Sequence, residues 1–130
     1  MLTPTLRHDL VARMLQMIRT DYAELVTLPK LAAALDRPPA ALGSLFRREV
    51  GMTARECLTR VRLAHATELI QNGVKIEAVA LIVGYRSKKN FYRQFRRHFQ
   101  TTPKAYRRSL EMAGGVPPVQ PTSPTIQVPA

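Results

Sequence analysis

The chain has 130 residues, enough for one ordinary domain or two very small ones, and 45% of them are hydrophobic, so a folded core is within reach. Its 20 Lys+Arg against 9 Asp+Glu give a formal net charge of +11, which favours a polyanionic partner such as nucleic acid or an anionic membrane surface. No run of 18 apolar residues is present, which excludes a membrane-spanning helix, and a single cysteine, Cys57, excludes an intrachain disulfide.

In chain order, the pattern predicts helices separated by short turns. The first runs from about Pro4 to Glu24, with Leu10, Met14, Met17 and Ile18 forming an apolar stripe at helical spacing. The second runs from about Leu28 to Leu35, with Thr27 as its N-cap, and Asp36-Arg37-Pro38 makes a turn. The third covers about Pro39 to Val50 and stops at Gly51. Thr53 with Glu56 three residues on is a capping-box pattern. It opens a long helix ending at Asn72-Gly73. The fifth helix spans about Ile76 to Val83 and is closed by Gly84; the sixth follows Ser87 and reaches about Phe99. Thr102-Pro103 caps a last helix to about Leu110. No segment shows sustained period-2 alternation, so the fold class is all-α with about seven helices.

The charge is concentrated. Residues 1–26 are neutral and 111–130 carry only Glu111, so the positive excess lies between Thr27 and Leu110. From Arg86 to Arg108 there are nine basic residues and no acidic one. A solvated face accounts for such a run less well than a bound polyanion, because single-sign charge repels itself. The end of the chain, GGVPPVQPTSPTIQVPA, has five prolines, two glycines and no charge, and reads as a disordered tail.

An internal repeat is visible. Leu28, Leu31, Ala32 and Leu35 match Ile76, Val79, Ala80 and Val83 at an offset of 48. Leu42, Phe46, Arg47, Arg48, Val50 and Thr53 match Phe91, Phe95, Arg96, Arg97, Phe99 and Thr102 at an offset of 49, which puts one extra residue in the second copy's turn. Each copy is a short helix, a tight turn and a second helix, a helix-turn-helix arrangement. Alanine at positions 32 and 80 lets the second helix cross closely. The i,i+4 pairs Leu42/Phe46 and Phe91/Phe95 pin that helix to its own core and leave its opposite face for a major groove. The expected organisation is residues 1–52 for the lead helix and first helix-turn-helix, 53–73 for a linker helix, 74–111 for the second unit, and 112–130 for the tail. The linker helix is apolar on more than one face, through Cys57, Leu58, Val61, Leu63, Ala66, Leu69 and Ile70, as expected of a helix that contacts two bodies. Two such recognition helices on one duplex face would lie about 34 Å apart, in successive major grooves.

The stretches LAAALDRPPAALGSLFRREVGMT (31–53), RVRLAHATELIQNG (60–73) and IEAVALIVGYRSKKNFYRQFRRHFQTTPKAYRR (76–108) resemble the DNA-binding domain of AraC/XylS-type regulators. Gly84-Tyr85, Phe91, Phe95-Arg96, Pro103 and Tyr106-Arg107 follow that family's pattern at its spacing, and the resemblance covers roughly residues 13–109. It implies a tandem, homeodomain-like pair of helix-turn-helix subdomains and a protein that binds double-stranded promoter DNA, mostly to activate transcription through RNA polymerase. Many members carry a separate sensing domain. No stretch of this sequence is left over for a small-molecule ligand domain, so the chain resembles the short stand-alone members; a DNA-binding portion of a longer ligand-sensing regulator is the alternative. A monomer on DNA, a cytoplasmic (nucleoid) location and no cofactor are expected with it.

Carried over by position, Lys88, Lys89, Tyr92 and Arg93 of the second recognition helix are the expected base readers, with Arg93 placed for a bidentate contact to guanine. Arg96, Arg97, Lys104, Arg107 and Arg108, together with Ser87 at the helix start, are expected on phosphates. In the first unit the outward positions would be Ala40, Gly43 and Ser44, smaller than the residues usual in the family, with Arg47 and Arg48 as backbone anchors. That helix reads as the weaker one, so base specificity is expected to rest on the second unit. Gln100 stands where a glycine is common, which leaves the helix end there open to differ. Cys57 reads as a small core residue rather than a redox sensor.

Other classes fit less well. A co-regulator that mainly docks on RNA polymerase or another protein is permitted by the small residues of the first recognition helix. An RNA-binding protein would need an aromatic stacking platform that the sequence lacks. An enzyme is not expected, since no phosphate-cradling loop or clustered Ser/His/Asp or Cys/His group is present. Nor is a metal site, because His8, His65 and His98 lie far apart. The start, MLTPTLRHDL, lacks the basic and apolar regions of a secretory signal.

Overall fold

The computed structural model describes residues 2–24 and 26–113. Among them are seven helices and no strand: α1 (Pro4–Asp21), α2 (Leu28–Leu35), α3 (Pro39–Val50), α4 (Ala54–Gln71), α5 (Ile76–Ile82), α6 (Lys88–Phe99) and α7 (Pro103–Met112). The all-α reading therefore holds. No helix among the described residues is long and apolar enough to cross a membrane. The tail expected to be disordered lies outside the described residues from Gly114 on.

Capping chemistry sets most of the boundaries. Thr3, Thr27, Ser87 and Thr102 each accept a hydrogen bond from the backbone N–H three residues on, at 3.1–3.3 Å, and so satisfy a donor that the first helical turn leaves open. Thr53 does the same for Glu56 at 3.1 Å, at the start of α4. At the other ends, Gly73 (φ 85°) and Gly84 (φ 104°) adopt the left-handed conformation. Each closes its helix with a pair of backbone bonds, Gly73 N to Ile70 O with Val74 N to Leu69 O, and Gly84 N to Leu81 O with Tyr85 N to Ala80 O. Asp36 (φ 54°) performs this task for α2, where Arg37 N donates to Ala32 O at 3.0 Å. The differences from the sequence reading are small. α1 ends at Asp21, before Glu24, because Glu24 N turns back to Asp21 O at 2.9 Å. α5 stops one residue early, at Ile82, and α7 continues to Met112.

The chain divides into two compact units, one running to Val61 and the other from Arg62, with the division inside α4. In the first unit α1, α2 and α3 pack on one another. Leu10, Val11, Met14, Leu15 and Ile18 of α1 join Leu31 and Leu35 of α2, Leu42, Leu45 and Phe46 of α3, and Cys57, Leu58 and Val61 from the start of α4 in one buried cluster. Cys57 is fully buried there, as a small core residue should be.

In the second unit α6 packs on both α5 and α7. Ile76, Val79, Ala80 and Val83 are buried along α5 and its end, with Phe91, Phe95 and Phe99 of α6 and Tyr106 and Leu110 of α7. The rings form a connected stack: Tyr85 to Phe91 at 5.4 Å between centroids, Phe91 to Phe95 at 5.8 Å, Phe95 to Phe99 at 4.7 Å and Phe95 to Tyr106 at 5.9 Å. Tilted and edge-on pairs of this kind add to the area each ring buries. The i,i+4 aromatic spacing of α6 thus fixes which of its faces is left outside.

Candidate nucleic-acid interface

In the second unit, the geometry follows from that stack. With Phe91, Phe95 and Phe99 turned inward, helical periodicity turns Lys89, Asn90, Arg93, Arg96 and Arg97 outward, and all five are exposed. Four of them are cationic and lie on one side of a single helix of 12 residues. The exposed Lys104 and Arg108 of α7 belong to the same unit. Thr102, the N-cap of α7, joins Tyr92, Arg93, Arg96 and Arg97 in lining a cavity of about 440 Å³. Ser87 is exposed and its hydroxyl accepts from Asn90 N, so the side chain is engaged in capping α6.

Three of the expected contact residues of this unit are placed differently from a plain outward stripe. Lys88 is exposed, but its Nζ lies 3.0 Å from Glu77 Oε1 on α5 and 5.5 Å from the Tyr92 ring centroid. The Glu77 hydrogen bond and charge hold the Lys88 ammonium above its ordinary pKa. Tyr92 is half-buried on the flank of α6, and its hydroxyl is buried with no hydrogen-bond partner among the described residues. Arg107 is half-buried and donates to the backbone carbonyls of Val74 and, at 3.5 Å, Ile70, which ties α7 to the end of α4. Gln71 reinforces that tie by donating to Tyr106 Oη at 2.9 Å.

Asn90, in the first turn of α6, and Arg86, just before its N-cap Ser87, are also exposed and stand outside the expected contact residues. The spacing could have shown Asn90, which lies three residues before Arg93 on the face opposite the phenylalanines. Glu77 could not have been found this way, because its pairing with Lys88 joins two helices.

The first unit repeats the scheme with less chemistry. Leu42, Leu45 and Phe46 of α3 are buried, and Ala40, Ser44, Arg47 and Arg48 are exposed on the other side. Gly43, expected to point outward, does not. It is half-buried, and a methyl group added there would meet Leu28 Cδ2 of α2 at 3.0 Å. The glycine thus permits a close approach of α2 to α3, which accounts for a residue that is otherwise unfavourable inside a helix by about 1 kcal/mol. At its C-terminus, α3 closes through Gly51 (φ 87°), whose N–H donates to Arg47 O at 2.9 Å.

Gln100 resolves the open question at the end of α6. It takes the left-handed conformation (φ 55°) that a glycine would take, with its N–H on Arg96 O at 2.8 Å and its side-chain amide on Arg97 O at 2.9 Å. The helix end keeps the glycine geometry in spite of the side chain.

Comparison with known proteins agrees with this architecture. The profile of a family described as a helix-turn-helix domain matches residues 31–109. The lactose operon transcription activator of Staphylococcus xylosus is 30% identical over 91 residues, which is 69% of this chain and 33% of that protein. The transcriptional activator RhaS of Yersinia pestis is 28% identical over 99 residues, 75% of this chain and 36% of the relative. Among solved structures, the C-terminal domain of AraT, a response regulator from Geobacillus stearothermophilus, superposes with a TM-score of 0.75 at 28% identity, covering 83% of this chain and 87% of that one. The chain belongs to the AraC-type helix-turn-helix family of transcription regulators. It spans about a third of the length of the curated relatives it matches.

Proposed function

We propose that this chain binds double-stranded DNA sequence-specifically, with one recognition helix of each unit entering successive major grooves, and that it regulates transcription from the bacterial cytoplasm. The observation that carries the reading is the outward face of α6, where Lys89, Arg93, Arg96 and Arg97 stand exposed opposite a buried phenylalanine stripe. Side chains near the start of a recognition helix reach base edges, and those further along reach the backbone. In this reading Lys89 and Arg93 are the main base readers of the second unit, with Tyr92 on the flank. Arg96, Arg97, Lys104 and Arg108 hold phosphates, and Ser87 orients the start of α6. Arg107 serves first to hold α7 in place. In the first unit Ala40 and Ser44 are the surface that can meet bases, Ala40 against a thymine methyl and Ser44 by hydrogen bond, while Arg47 and Arg48 anchor the backbone. The second unit therefore dominates base specificity.

Two relatives are named as activators, which supports activation; the proposed reading adds contact with RNA polymerase and a monomer on DNA. The small outward residues of α3 favour a second reading, a co-regulator that works chiefly by docking on the polymerase. Selection of bound duplexes from a random pool, followed by sequencing, separates the two. A shared motif among the recovered duplexes is expected; recovery of unrelated sequences would support the docking reading.

A further inference from the structure

Glu77 is the only acidic residue between Lys75 and Ser109, in a stretch that is otherwise neutral or cationic. It lies in the first turn of α5, and its carboxylate meets Lys88 of α6 across the helix-turn-helix at 3.0 Å. Lys88 is the first residue of α6, at the end of the recognition helix that meets DNA in the proposed reading. Its ammonium also lies 5.5 Å from the centroid of the Tyr92 ring, so carboxylate and ring both hold it near α5 and the flank of α6. The carboxylate is held below its ordinary pKa by a hydrogen bond from its own backbone N–H, by the Lys88 hydrogen bond and charge, and by the charge of Lys104. It is therefore fully ionised at neutral pH.

We propose that Glu77 is a specificity-determining residue that restrains Lys88, and that it does so by keeping this lysine from adding a sequence-independent phosphate contact. The proposal rests on the DNA-binding reading above. Both side chains are more than half exposed or close to it, so the pair adds little to folding stability. What it changes is the availability of a cation at the mouth of the interface. A free lysine on a four-carbon stem meets any phosphate within reach, whatever the base sequence, and so raises binding to all duplexes alike. Held by Glu77, the same lysine contributes little to nonspecific binding, and discrimination is left to Lys89 and Arg93.

The test uses the full 130-residue chain and its Glu77→Gln, Lys88→Ala and doubly substituted variants. Equilibrium binding is measured by fluorescence anisotropy on a selected duplex and on a scrambled one, over a range of KCl concentrations. Glu77→Gln is expected to tighten binding to the scrambled duplex about two- to fivefold and to steepen the slope of log K against log salt by about 0.9, one phosphate contact. The selected duplex gains less, so the ratio of the two affinities falls. In the Lys88→Ala background the Glu77 substitution is expected to leave the slope unchanged. An unaltered slope in Glu77→Gln, or the same increase with Lys88 absent, overturns the proposal while the wild-type preference for the selected duplex leaves the DNA-binding reading standing. A wild-type chain that binds neither duplex overturns both.

Discussion

Arg107 donates its guanidinium to the backbone carbonyl of Val74, so a cation in the basic stretch is engaged with the chain itself. The contact joins α7 to the turn that ends α4, and Ile70 O shares the same nitrogen at 3.5 Å. Carbonyls at a helix C-terminus carry partial negative charge and lack intrahelical partners, so a half-buried guanidinium is well suited to them. Replacing Arg107 with Met should cost about 1.5–3 kcal/mol of stability, the range for a hydrogen bond from a charged group. Urea denaturation checks this. The salt slope of DNA binding should change less in this variant than in Arg96→Met or Arg97→Met.

Gln100 occupies a left-handed position at the end of α6. A side chain there costs about 1 kcal/mol relative to glycine, partly offset by the amide bond to Arg97 O. Gln100→Gly is therefore expected to stabilise the chain by about 0.5–1 kcal/mol and raise the thermal midpoint by a few degrees. A lower midpoint would show that the amide bond outweighs the strain.

Cys57 should be silent in the folded state. Burial pushes its thiol up to about 11 from 9.0, against the opposing charges of Arg19 and Arg60. The thiolate is the reactive form, so an aromatic disulfide reagent at pH 8 should label Cys57 only on unfolding. The linkage has a definite sign. The folded pKa is raised, so the stability from the neutral thiol is fully present below about pH 9 and is lost as pH rises through about 11. The stability difference between the wild type and Cys57→Ala should shrink across that window. A difference that holds constant from pH 8 to 11 would contradict the assignment.

Base reading is expected to be unequal between the units. Arg93→Ala should cost about 1–3 kcal/mol at one base position and relax selectivity there. Ser44→Ala on α3 should leave selectivity nearly unchanged. Competition binding against single-base variants of a selected duplex measures both, and equal losses would remove the distinction.

Much of this was legible in the sequence, for identifiable reasons. The caps at Thr27, Ser87 and Thr102 and the glycine stops at 51, 73 and 84 are local chemistry, so the helix boundaries fell within three residues. The phenylalanine spacing in α6 fixed its buried face and hence the exposure of Lys89, Arg93, Arg96 and Arg97. What escaped depends on contacts between elements. Gly43 looked like an outward position and instead faces Leu28, because a flank of α3 meets α2 there. Lys88 and Arg107 looked like two more cations of the basic run, and their partners lie 11 and 33 residues away in the chain. Family-pattern residues such as Gly84, Tyr85, Phe91, Phe95 and Tyr106 turn out to form the scaffold: the first closes α5 and the others are buried.

The central claim is that exposed arginines and lysines engage the DNA backbone while α6 reads bases. The most direct measurement is the affinity of the full chain for a selected duplex and its scrambled counterpart as KCl is raised. Arg47, Arg48, Arg96, Arg97, Lys104 and Arg108 are the proposed phosphate anchors, so log K should fall linearly with log salt at a slope of about −5. The selected duplex should remain the tighter throughout. A flat salt dependence, or equal affinity for both duplexes, would contradict it.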